Sequence, residues 1–203
     1  MLKFPMQADL WPGPSGLEGR FRKREPSAVV VRPAELADLN ACCEIDGAYV
    51  TDYVWQMQVR ERDGSIDIKF DTIRLPRQMK VPYPRHPDEL WPHWQQEACF
   101  LVAAQDDQIV GYLDACPDPG DNVLWIYNLV IARTARRRGV ATELLQAAGH
   151  WAKQRGQRRF MLELQTKNYP AICFAHKHGF AFCGYNDRYF ANGDIALFFS
   201  LPV

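Results

Sequence analysis

Apolar and polar residues along this chain change period several times, and each change marks an element. Ala28–Val31 is a short β-branched run that stops at Arg32-Pro33, which predicts a strand. From Ala34 to Ala48, Leu36, Leu39, Cys43 and Ala48 are spaced by acidic residues, which predicts an amphipathic helix. A period of two follows. Tyr53, Trp55, Met57 and Val59 fall on one face, and Val54, Gln56, Gln58 and Arg60 fall on the other. Beyond Asp63-Gly64, Ile66, Ile68 and Phe70 alternate with Asp67, Lys69 and Asp71. Two alternating runs about an Asp-Gly pair predict a hairpin over 53–74. Pro76, Pro82, Pro84, Pro87 and Pro92 crowd the next stretch, so Leu75–Pro92 reads as a surface loop, followed by a short segment at Trp91–Glu97.

Three strands come next, Cys99–Ala104, Ile109–Ala115 and Leu124–Ile131. Their connections, Asp106-Asp107-Gln108 and Asp118-Pro119-Gly120-Asp121, are short enough to require antiparallel neighbours. Gly139–Arg155 carries Leu144, Leu145, Ala148, Trp151 and Ala152 in one helical stripe, and Gly156 ends it. Arg159–Leu164 is a strand. Asn168 caps a second helix, with Pro170 in its first turn and Gly179 at its end. Two last strands, Phe180–Asp187 and Ile195–Leu201, flank Ala191-Asn192-Gly193. The strand–helix–strand unit from Leu124 to Leu164 needs a right-handed crossover and a parallel pair. The predicted fold class is therefore α/β: a mixed, mostly antiparallel sheet flanked by helices, with a hairpin inserted in the N-terminal half. Residues 1–27, rich in proline, glycine and charge, read as an extended arm before a single domain over 28–203.

Composition narrows the partners. The chain has 203 residues, 47% hydrophobic and 24% charged, with formal net charge +0. A nucleic-acid binder would carry a basic excess, so none is expected as partner. No segment reaches the roughly 20 apolar residues of a membrane span, and Met1–Gly19 lacks the apolar core of a signal peptide. A soluble, cytoplasmic protein without a membrane partner is expected. Cys42, Cys43, Cys99, Cys116, Cys173 and Cys183 form no Cys-x-x-Cys pair, so neither a disulfide framework nor a metal is expected.

One stretch carries chemistry. The apolar strand ending Leu129-Val130-Ile131 runs through Arg133–Arg138 into a helix that starts at Gly139. A helix start has backbone N–H groups without intrahelical partners and the positive end of the helix dipole, and so attracts anions. Gly139 lets a ligand approach the backbone, Ala141 keeps the helix start narrow, and Arg136, Arg137 and Arg138 add cationic side chains. The stretch predicts a pyrophosphate site.

These residues resemble the GCN5-related N-acetyltransferase superfamily, whose Gln/Arg-x-x-Gly-x-Gly/Ala loop reads here Arg136-x-x-Gly139-x-Ala141. The second half is similar to the streptothricin (nourseothricin) acetyltransferase branch. It carries Leu162-Glu163-Leu164-Gln165, then Asn168, Ala171 and Phe174, then Lys177-His178-Gly179-Phe180, with a tail at Asp187-Arg188-Tyr189. The resemblance implies the acyl-CoA N-acyltransferase fold, acetyl-CoA as cosubstrate and a small-molecule amine as acceptor. The backbone of Leu129, Val130 and Ile131 would pair with the pantetheine arm at a splayed point in the sheet. The backbone from Arg137 through Val140 and Ala141 to Thr142 would hold the pyrophosphate, and Asn168 and Phe174 would meet the thiol end. The proton work falls to Glu163 and Tyr127, because the tyrosine that the superfamily carries after the aromatic at 174 is Ala175 here, and the branch's acidic strand residues are Tyr127 and Asn128. Asp187 and Tyr189 would line the acceptor side, and a homodimer is one expected state. Those replacements equally motivate a second reading, a coenzyme-binding module with degenerate catalysis that senses or binds a partner.

Overall fold

The computed structural model describes residues 28–96, 98–118 and 120–203, so the arm predicted over 1–27 lies outside the described residues. Among them run β1 (Val30–Pro33), α1 (Asp38–Glu44), β2 (Tyr49–Arg62), β3 (Ser65–Val81), α2 (Leu90–Gln95), β4 (Cys99–Gln105), β5 (Gln108–Asp118), β6 (Val123–Ile131), α3 (Val140–Gln154), β7 (Arg159–Gln165), α4 (Tyr169–Lys177), β8 (Ala181–Asn186) and β9 (Ala196–Pro202). Seven strands make one sheet in the order β1-β4-β5-β6-β7-β9-β8, and β2 and β3 make a separate ribbon. Only β6 and β7 pair in parallel in this sheet; short connections make β4–β5 and β5–β6 antiparallel, as expected, and β1–β4, β7–β9 and β8–β9 are antiparallel too. No helix among the described residues is long and apolar enough to cross a membrane.

Alternation along the middle strands builds a core on each face of the sheet. Leu101, Ala103, Leu113, Ala115, Leu124 and Ile126 point toward α3, where Leu144, Leu145 and Ala148 meet them. Phe100, Val102, Tyr112 and Val130 point the other way, onto Leu39 and Cys42 of α1 and Leu90 of α2.

The hairpin is longer than its predicted 53–74. Asp63 and Gly64 both take positive φ, 45° and 82°, so the two-residue turn has the hand that matches the strand twist. The ribbon is fastened at its base, where Trp55 N–H donates to the Thr166 carbonyl at 2.9 Å. The Trp55 ring sits among Phe70, Phe182 and Phe199.

Two predicted elements are corrected. The segment taken as loop, Leu75–Pro92, instead continues β3 to Val81 and then folds into a 3-10 turn (Pro87–Glu89) and α2. Pro76 is tolerated because the ladder shifts register between Thr51 and Tyr53, so the strand opposite needs no N–H there. The helix taken over Ala34–Ala48 spans only Asp38–Glu44. Asp38 spends its carboxylate on the Glu35 N–H and the Arg32 guanidinium, and Ile45 is already extended at ψ 114°. Gly47 then passes so close to Tyr83 that a Cβ would lie 2.7 Å from its ring.

Phe199 has no exposed surface and joins the hairpin base to the sheet through Trp55, His176 and Phe182. Phe199→Ala is expected to cost about 3–5 kcal/mol of stability, read by urea unfolding, with the Trp55 fluorescence shifting as its ring loses that support.

Candidate functional site

The site grows from one irregularity in the sheet. β6 and β7 pair only from Val123↔Arg159 to Ile126↔Leu162. Beyond Ile126, β6 pairs with β5 alone, and beyond Leu162, β7 pairs with β9 alone. A bulge between Asp114 and Ala115 of β5 leaves Tyr127 without an opposite residue, and bulges of this kind bend a strand and re-aim its side chains. The two strands diverge around a cleft of about 550 Å³. Leu129, Val130 and Ile131 line one wall, and Leu162, Glu163, Leu164 and Gln165 line the other.

The cleft ends on the start of α3. Gly139 precedes the helix at φ 92°, Arg137 takes φ 65°, and no side chain caps the helix start. The N–H groups of Val140 and Ala141 therefore stay free to meet an anion, while that of Thr142 donates to the Gly139 carbonyl at 2.8 Å. A Cβ built at Gly139 would meet nothing, so it is the positive φ that favours glycine there. Arg137, Gly139, Val140, Ala141 and Thr142 all line the cleft, as do Asn168, Phe174 and Tyr127. Asn168 also caps α4 as predicted, accepting from the Ala171 N–H at 3.2 Å.

Several predicted roles change. The Arg136 guanidinium donates to the carbonyls of Ile131, Ala48 and Asp46 at 2.8–2.9 Å. It fastens the end of β6 to the 45–48 segment while also lining the cleft. Arg138 and Asp187 are exposed and lie off the cleft wall. Tyr189 is off the wall too, but its hydroxyl donates to Glu163 Oε2 at 2.7 Å. Ala175 is fully buried in the core beneath the sheet. Ala175 does not line the cleft; the aromatic of α4 that does is Phe174.

Glu163 is the one carboxylate among the described lining residues, and its side chain has no exposed surface. Arg85 forms an ion pair with it. The same guanidinium donates to Glu89 at 3.2 Å and lies over the Tyr127 ring at 5.0 Å. Burial raises the Tyr127 phenol above its ordinary range and the Tyr83 phenol likewise, so both are protonated donors at neutral pH. Burial, then the Lys177 charge, lowers the His178 imidazole, which contacts Thr142 Oγ1 at 3.2 Å. Sequence reasoning missed Arg85, Tyr83 and Tyr49. The first two sit in the segment taken as loop, and all three reach the cleft only because β2 and β3 are longer than predicted.

Residues 70–180 match the sequence model of the Acetyltransferase (GNAT) family. The streptothricin acetyltransferase of Streptomyces lavendulae is 28% identical over 107 residues, covering 51% of this chain and 57% of that protein, so the chain aligns with just over half of that relative's length. Among solved structures, a nourseothricin acetyltransferase superimposes with a TM-score of 0.74 at 23% identity, over 87% of this chain and 99% of that one. A streptothricin acetyltransferase homologue from Bacillus anthracis, solved in complex with acetyl coenzyme A, gives 0.69 at 22% identity over the same shares. At these identities the two structures bear on the fold.

Removing Arg85 would strand a buried carboxylate. Arg85→Ala is expected to destabilise the fold by about 3–5 kcal/mol, and the double variant Arg85→Ala/Glu163→Gln to recover part of that loss, both read by chemical denaturation.

Proposed function

This chain belongs to the Acetyltransferase (GNAT) family, and from that premise we propose that it transfers the acetyl group of acetyl-CoA to a primary amine of a small molecule of the streptothricin or aminoglycoside kind. The observation that carries the reading is the cleft itself: a splayed parallel pair of strands opening onto an uncapped helix start. That arrangement fits the coenzyme. The unpaired edge of β6 at Leu129–Ile131 offers backbone donors and acceptors to an extended, amide-containing arm. The N–H groups from Arg137 to Ala141 offer a cradle to a pyrophosphate. Bound there, the coenzyme supplies an activated thioester.

The chain's own residues supply the rest. Glu163, paired with Arg85, stabilises positive charge developing on the attacking nitrogen and takes its proton through water. Tyr127, held protonated by burial, donates to the departing sulfur in place of the tyrosine that α4 lacks. Tyr189 orients Glu163 from outside the wall.

The second reading, a coenzyme-binding module without turnover, is favoured by one observation: Phe174, which has no proton to give, is the aromatic that α4 turns to the cleft. Incubation with acetyl-CoA and a panel of amines, with free thiol as readout, separates the two. Thiol release that depends on the amine is the expected result; coenzyme binding without release on any amine would sink the transferase reading. Tyr127→Phe is expected to lower kcat by about 10²-fold while leaving coenzyme affinity, measured by calorimetry, within about twofold of the parent.

A further inference from the structure

A second constellation lies on the opposite face of β5 from α3. Asp114 and Cys116 are two residues apart on that strand and so project to the same side. Helix α2 lays His93 over them. The side-chain nitrogen, carboxylate oxygen and sulfur of these three residues all lie within 4.8 Å of one another. We propose that His93, Asp114 and Cys116 form a binding site for a divalent transition metal of the zinc type.

The donor set argues for this class of ion. One imidazole, one carboxylate and one thiol combine the borderline and soft ligands that zinc takes, whereas magnesium and calcium take oxygen alone. Ligand atoms at about 2.0–2.3 Å from a tetrahedral ion stand roughly 3.3–3.7 Å apart. The cluster already lies inside 4.8 Å, and the His93–Asp114 contact at 2.6 Å would open by about 1 Å to admit an ion.

The carboxylate is the second, independent observation. Asp114 has no exposed surface. Its Oδ2 accepts from His93 Nδ1 at 2.6 Å and from Asn128 Nδ2 at 2.8 Å. Its Oδ1 is equally buried, and no described residue donates to it. A buried acceptor left unpaired costs about 1–3 kcal/mol, more when it is charged. A cation at Oδ1 would remove that cost and share the negative charge. Asn128 then serves as the outer hydrogen-bond donor that metal-bound carboxylates characteristically have. Its own amide is oriented in turn by Tyr83 Oη, which donates to Asn128 Oδ1 at 2.9 Å.

The site adjoins the cleft without being part of its wall. The His93 ring packs on Tyr127 at 5.0 Å between centroids, and Tyr83 and Tyr127 both line the cleft. An ion holding His93 and Asp114 would therefore fix two aromatic side chains on the acceptor side. Linear spacing hides the site, because its ligands come from a helix and a strand rather than from a Cys-x-x-Cys loop.

The test uses the full chain, stripped with a chelator and titrated with Zn²⁺ against a chromophoric competitor. One equivalent per chain, bound with a Kd below about 1 µM, is the expected result. Co²⁺ should give a thiolate-to-cobalt absorption band that disappears in Cys116→Ser and survives in the control Cys43→Ser, a change at an exposed thiol. Asp114→Asn and His93→Gln should each weaken Zn²⁺ at least about tenfold, and circular dichroism confirms that each variant is folded. Binding that is absent, or that persists unchanged in Cys116→Ser, would overturn the proposal. Either result would leave an ordered water as the partner of Asp114 Oδ1.

Discussion

Backbone polar groups at the point where β6 and β7 separate need partners, and this need organises the molecule. Four residue pairs join the two strands before they part. After that the inner edges of both strands carry donors and acceptors that no neighbouring strand satisfies. A protein rarely leaves such groups buried and unpaired. Here the divergence opens into a cleft, and the bulge at Tyr127 lies where β6 parts from β7. The start of α3 closes one end of the opening with unpaired N–H groups. Binding competence thus comes from a sheet that is prevented from finishing.

The near-neutral overall charge conceals a strong local arrangement. Arg136 spends its guanidinium on three carbonyls and holds the 45–48 segment against the end of β6. Arg85 spends its own on Glu163 and Glu89 while covering Tyr127. Both arginines are structural pins at the edges of the cleft. A buried ion pair such as Arg85–Glu163 gives little net stability, since desolvation of both charges offsets their attraction. What it provides is one carboxylate, held in one orientation, and no other described lining residue carries an acid.

Local signals were legible where they were strong and self-contained. The stripe on α3, the Asp63-Gly64 turn, the Asn168 cap and the glycine before α3 each depend on a few neighbouring residues, and each stands where the pattern puts it. The segment from Leu75 to Pro92 was illegible because its prolines argue against a strand only when every N–H is needed. The register shift opposite Pro76 removes that need, and nothing in the local pattern announces it. Likewise α1 is short because Arg32 and Glu35 claim Asp38, and because Gly47 must pass under Tyr83. These are contacts between separate elements.

The sequence by itself determined the class of fold and the glycine turn that opens α3 without a side-chain cap, because hydrophobic period, turn chemistry and helix start act over a few residues. The tertiary structure alone decided which side chains face the cleft. It buried Ala175 in the core, turned Phe174 toward the cleft, tied Arg136 to three carbonyls, and brought Arg85 across to Glu163 from 78 positions away. Residue type sets what a side chain can do, but the packing of helices and hairpin on the sheet sets what it can reach.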